Sequence, residues 1–139
     1  MKIIFLIIIA FGLLQADFIR GDKGVEDTIS NLEWQDNEDV NVTTTWETAI
    51  HLCESLELYN QTDWRLPNIN ELKSLIDREK YNPAIISILK YYSISNGYWS
   101  SSTVKKNKDK SWGVNFNRGY VYRRNKSGDS YVRCVRGGE

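Results

Sequence analysis

Residues 63–76 read Asp63-Trp64-Arg65-Leu66-Pro67-Asn68-Ile69-Asn70-Glu71-Leu72-Lys73-Ser74-Leu75-Ile76. A proline followed by Asn-x-x-Glu marks a helix start, because the Asn68 side chain and the Glu71 carboxylate can each satisfy a backbone N–H left free in the first turn. Leu72, Leu75 and Ile76 supply the buried stripe of that helix. Upstream, Thr44-x-x-Glu47 is a second capping box, and Trp46, Ala49, Ile50, Cys53 and Leu56 recur at helical spacing behind it. Downstream, Pro83 breaks the chain, residues 84–89 suit a helical turn, and the apolar period then changes from helical to alternating. Residues 98–102, 112–116, 119–124 and 131–136 read as four strands. Asn117-Arg118-Gly119 forms a hairpin turn between the middle two, and residues 105–110 and 125–129 are polar loops. Ahead of the helices, an acidic irregular start leads into Asn31–Gln35, where Leu32 and Trp34 share one face of a short strand, and residues 36–41 form a loop. Two helices followed by antiparallel strands predict an α+β domain whose first strand pairs with its last. No repeat or linker divides residues 17–139.

The 139 residues carry 18 basic and 18 acidic side chains, and this balance hides segregation. Residues 17–99 hold 7 basic and 15 acidic groups, whereas residues 100–139 hold 10 basic and 3 acidic groups. Met1-Lys2, the apolar run Ile3 to Leu14 and Gln15-Ala16-Asp17 have the layout of a secretory signal peptide spanning residues 1–16, with cleavage after Ala16. The run is shorter than the roughly 20 residues of a spanning helix, so contact with a membrane is expected only through an uncleaved signal segment. The mature chain is therefore read as exported, to the periplasm or the cell exterior. Its net charge of −1, together with export, argues against a nucleic-acid partner.

In an oxidising compartment the even pair Cys53 and Cys134 reads most simply as one disulfide, the alternative being two separate buried thiols. Two cysteines and the single His51 cannot complete a tetrahedral zinc shell without carboxylates, so neither metal nor cofactor is expected.

Asp63-Trp64-Arg65-Leu66-Pro67-Asn68 with Glu71, then Tyr98-Trp99-Ser100-Ser101, then Val132-Arg133-Cys134-Val135-Arg136 occur in that order, preceded by Leu32-Glu33-Trp34-Gln35. This series resembles the DUF1566 family, named for the C-terminal domain of the Legionella collagen-like adhesin, from about Val25 to the C-terminus. The family in turn is similar to C-type-lectin-like domains and formylglycine-generating enzymes. The resemblance implies two helices packed on twisted antiparallel sheets, adjacent N- and C-terminal strands, a Cys53–Cys134 bridge, and structural roles for Trp34, Trp64, Arg65, Leu66, Pro67, Asn68, Glu71, Trp99, Ser100 and Ser101. Members occur in envelope and secreted proteins, and the best-known relative implies adhesion through sulfated polysaccharide.

Catalysis lacks parts. Ser100-Ser101-Ser102 has no identifiable base, and formylglycine-type chemistry needs reactive cysteines beyond a structural pair. Binding is better supplied: Arg118, Tyr120, Tyr122, Arg123, Arg124, Tyr131 and Arg133 combine guanidinium forks with aromatic plates, which suits acidic glycans. Strict alternation along the last strand places Tyr131 and Arg133 outward, opposite Val132 and Cys134. The expected function is a non-catalytic envelope module that binds an anionic polysaccharide or another surface component. A structural module that docks an envelope protein or a second copy of itself is the alternative.

Overall fold

A computed structural model of the chain describes residues 17–138, so the segment read as a signal peptide lies outside the described residues. The elements are β1 (Phe18–Gly21), β2 (Gly24–Asp27), β3 (Leu32–Trp34), β4 (Thr43–Thr44), α1 (Trp46–Glu54), α2 (Ile69–Lys73), β5 (Tyr98–Val104), β6 (Asn107–Asn115), β7 (Tyr120–Asn125), β8 (Ser130–Tyr131) and β9 (Val135–Gly137), with a 3-10 turn at Glu38–Asn41. The class is α+β. A four-stranded antiparallel sheet has the order β1-β2-β3-β9, and a five-stranded mixed sheet has the order β4-β8-β5-β6-β7. Trp34 opposite Val135 makes the expected pairing of first and last segments, and the acidic start forms the additional β1–β2 hairpin rather than an irregular lead.

Alternation along β5 builds two cores from neighbouring residues, because successive strand side chains point to opposite faces. Tyr98 packs with Trp34, Leu72, Leu75, Val114 and Phe116, while Trp99 packs with Ala49, Cys53, Trp64, Leu66 and Val132 beneath α1. The Cys53–Cys134 disulfide closes the second core. Trp46, Ile50 and Leu56 flank it as the helical stripe predicts.

The Arg65–Glu71 stretch is a structural joint. Asn68 Oδ1 accepts from the Glu71 amide at 2.8 Å, and Glu71 Oε1 accepts from the Asn68 amide at 2.9 Å, completing the capping box. The same carboxylate takes a two-pronged Arg65 fork at 2.7 and 2.8 Å, and Arg65 also donates to the Gly137 carbonyl at 3.0 Å. Burial raises the Glu71 pKa, but the Arg65 guanidinium and the Asn68 amide outweigh it and hold the carboxyl below its ordinary value. The Pro67 carbonyl accepts from the Ser101 amide at 2.8 Å, and Ser102 Oγ accepts from the Ile69 amide at 2.9 Å, so the two sequence motifs lock to each other. A five-residue helix has little stability of its own. Asn68→Ala is therefore expected to lower unfolding free energy by about 1 kcal/mol, read as an earlier urea midpoint with an unchanged slope.

Four expectations are corrected. Thr44 does not cap α1: its backbone is paired with Ser130 in β4–β8 and its carbonyl accepts from Trp99 Nε1 at 2.8 Å. Thr45 is the N-cap without a side-chain cap bond, and the helix start is held instead by the Trp46 amide donating to the Lys126 carbonyl at 3.1 Å. Residues 84–89 form no short helix but only a single turn, in which the Leu89 amide donates to the Ile86 carbonyl at 3.3 Å, because Ala84 and Ile86 spend their amides on Phe116 and Leu75. The polar loop at 105–110 shrinks to a two-residue turn, since Asn107 pairs with Val104 and β6 begins there. The last strand is two strands in different sheets, and residues 132–134 cross between them.

Candidate functional site

That crossing decides the fate of Arg133. Without a continuous pleat there is no alternation, and Val132, Arg133 and Cys134 are all buried. Arg133 does not emerge as a ligand-binding group: it donates from Nη1 to the Gln35 carbonyl at 2.5 Å, lies 3.3 Å from Asp36 Oδ1, and donates from Nη2 to the Tyr91 carbonyl. Asp36 also receives Arg20 and the amides of Lys90 and Tyr91, both at 3.0 Å. Arg136 is likewise internal to the fold, bridging Glu33 at 2.5 Å and Asp63 at 2.6 Å.

The other eight basic groups of the C-terminal segment behave differently. Among the described residues, Lys105, Lys106, Lys108, Lys110, Arg118, Arg123, Arg124 and Lys126 make no ion pair; the salt bridges involve Arg20, Arg65, Lys80, Arg133 and Arg136. The acidic half of the chain does not neutralise them.

Register sorts these groups, because residues directly opposite in antiparallel strands share a face. Arg123 lies opposite Trp112, with its guanidinium carbon 5.8 Å from the indole centroid. Arg124 lies opposite Ser111 on the other face and donates to Asn96 Oδ1 at 3.2 Å. Tyr122 lies flat over Gly113 and Gly97, where any Cβ would collide with its ring, and shares a 3.0 Å hydrogen bond with Ser130. Tyr131 is half-buried, its ring 5.4 Å from Tyr98 and its hydroxyl 2.8 Å from Ser95 Oγ. Neither Tyr122 nor Tyr131 is a free plate. Tyr120 is 50% exposed, but it stands opposite Asn115 at the far end, beside the Arg118 turn, where Gly119 takes φ +73. About five residues, or roughly 17 Å of strand, separate that end from the Lys110–Asn125 pair.

The remaining cations converge. Lys105 and Lys106 form the β5–β6 turn, Lys108 and Lys110 follow on β6, and Lys126 leaves β7 beside them. Lys126 Nζ sits 3.9 Å from the Trp46 ring centroid and donates to Thr103 Oγ1 at 2.9 Å. Asp109 is the one acid lining an open recess of about 490 Å³ there, with Lys108, Asn125, Lys126 and Ser127. The cations without an ion pair among the described residues therefore gather mainly at this lysine end, with Arg123 and Arg124 on the adjoining strand and Arg118 at the far turn.

A second concavity, of about 410 Å³, opens in the long connection between α2 and β5, flanked by Tyr81 and Tyr92. Of its residues the sequence singles out only the Pro83 break and the 84–89 turn, neither of which points to a cleft; the available signal was the length of the stretch. Ser100, by contrast, is fully buried and donates to the Trp112 carbonyl at 2.6 Å, which is packing geometry, and His51 is exposed on α1. Among the described residues no group of three or more His, Cys, Asp or Glu side chains is arranged to hold a metal.

Compared with curated proteins, the sequence finds no match. The Arg65–Glu71 joint, the Tyr98–Ser101 strand it locks onto and the Cys53–Cys134 staple all fall within residues 23–136, the stretch that matches the Lcl C-terminal domain, and the chain belongs to that family.

Proposed function

We propose that the protein is an exported, non-catalytic module of the cell envelope or exterior that holds acidic polysaccharide on the lysine end of its larger sheet. The observation that carries this reading is the set of eight basic side chains that make no ion pair among the described residues, five of them lysines gathered at one end. Unpaired cations on a fixed sheet attract sulfate and carboxylate groups without first breaking internal salt bridges. Trp46 and Trp112 lie under Lys126 and Arg123 and hold those two cations in place on the surface. Such binding is electrostatic and weakens with salt.

Heparin chromatography tests it. The wild type is expected to be retained at low salt and released by a gradient. Replacing Lys105, Lys106, Lys108 and Lys110 by serine is expected to weaken binding at least about fourfold, four exposed pairs each contributing about 0.2–1 kcal/mol. Arg118→Ala, at the opposite end, is expected to leave elution unchanged. These positions are exposed or half-exposed, and stability should stay within about 0.5 kcal/mol. Wild-type elution in the void volume at low salt would sink the acidic-polysaccharide reading.

A further inference from the structure

From Ser74 to Gly97 the chain runs 24 residues with no helix and no strand. Ordered stretches of that length are uncommon in compact domains and are usually functional. This one is pinned along its course. The Ala84 amide donates to the Phe116 carbonyl at 2.7 Å, the Ile86 amide to the Leu75 carbonyl at 3.0 Å, and Arg20 donates to the Ile88 carbonyl at 2.8 Å. Asp36 accepts from the Lys90 and Tyr91 amides, and Arg133 donates to the Tyr91 carbonyl. Burying such a cluster is costly, and apolar residues of similar shape could stabilise the core as well. What Arg20, Asp36 and Arg133 add is position, because each contributes a hydrogen bond to the backbone of residues 88–91.

The segment so fixed carries the 410 Å³ cleft, within the size range of small-ligand sites. Ile85 and Leu89 form its buried floor. Tyr81, 82% exposed, and Tyr92, 37% exposed, flank it, and neither stacks on another ring among the described residues. Glu79, Lys80, Pro83, Ile86 and Ser87 complete the lining; Lys80 is paired with Asp77 at 3.6 Å, whereas Glu79 makes no ion pair among the described residues.

We propose that this cleft is a carbohydrate site for a neutral pyranose ring. Tyr81 and Tyr92 offer faces to the C–H side of the ring, and Glu79 and Ser87 offer acceptors and a donor to its hydroxyls. With Lys80 engaged by Asp77, the Glu79 carboxylate is left to disfavour an acidic sugar, so the site differs in ligand charge from the lysine end and is independent of that reading.

Amide NMR of the full chain with cellohexaose, chitohexaose and maltohexaose as probes tests this. At least one hexaose is expected to shift amides within residues 79–92. Tyr81→Ala and Tyr92→Ala are expected to weaken that binding about tenfold each, the equivalent of a lost aromatic contact, while heparin retention persists. The four-lysine variant should bind the hexaose normally. Absence of shifts from all three sugars, unchanged affinity in both tyrosine variants, or shifts produced by hexaproline but by no sugar would overturn the proposal, the last in favour of a peptide groove.

Discussion

Asp36→Ala is expected to lose about 3–5 kcal/mol of unfolding free energy, as does removal of one partner from a buried charge cluster elsewhere. The Asp36 and Arg133 side chains are both fully buried, so no water can replace the missing carboxylate beside Arg133. Arg20 is partly exposed and can recover some hydration, which places the main penalty on Arg133 and on the Lys90 and Tyr91 amides. Against a typical domain stability of about 5–15 kcal/mol, the variant should be marginal at 37 °C. Urea unfolding at neutral pH measures this, and a loss under about 1 kcal/mol would show that the cluster is hydrated. The pH dependence follows from the same group. Burial would raise the Asp36 pKa, but the Lys90 amide, Arg20, the Tyr91 amide and Arg133 together hold it below its ordinary value. A carboxyl lowered in the folded state contributes stability above its unfolded pKa and loses it as pH falls through the folded value. Wild-type stability should therefore drop from about pH 4 downward. Asp36→Ala should show a shallower drop, the remainder arising from Asp63, lowered by Arg136, and from Glu71.

What was legible in the sequence was local. The Asn68 cap, the Cys53 stripe of α1, the change of period before Tyr98 and the Gly119 turn each depend on residues within a few positions of one another. What was not legible depended on distant partners. Arg133 follows Val132 in an apparently alternating strand, and only the crossing between sheets at residues 132–134 turns it inward toward Asp36, 97 residues earlier. Thr44 has the sequence of a cap but is recruited by Ser130. The ten cations of the C-terminal segment look alike in sequence, yet Arg133 and Arg136 serve the fold while the other eight make no ion pair among the described residues, a division set by where the acids lie in space. The Tyr81–Tyr92 cleft is invisible for the same reason, since the residues that fix its position lie outside its own segment.

Cys53→Ala with Cys134→Ala is expected to destabilise the fold by about 2–5 kcal/mol, with about 4.5 kcal/mol from chain entropy alone for a loop of this length. The bridge spans 81 residues from the end of α1 and encloses α2, the tyrosine-flanked connection and most of the larger sheet. Its second half-cystine lies in the 132–134 crossing, which is not a strand and is otherwise held by the Arg133 side chain and by two bonds between Cys134 and Gln35, both at 3.0 Å. Gln35 adjoins Asp36 and Cys134 adjoins Arg133, so the staple also fixes the approach of the buried ion pair. The two predictions should consequently not add. With the cysteines replaced, the crossing can relax and admit water to Arg133, and Asp36→Ala should then cost less than it does in the bridged protein. A urea double-mutant cycle measures that difference, and strict additivity would mean that the disulfide constrains only the unfolded chain and leaves the position of Arg133 untouched.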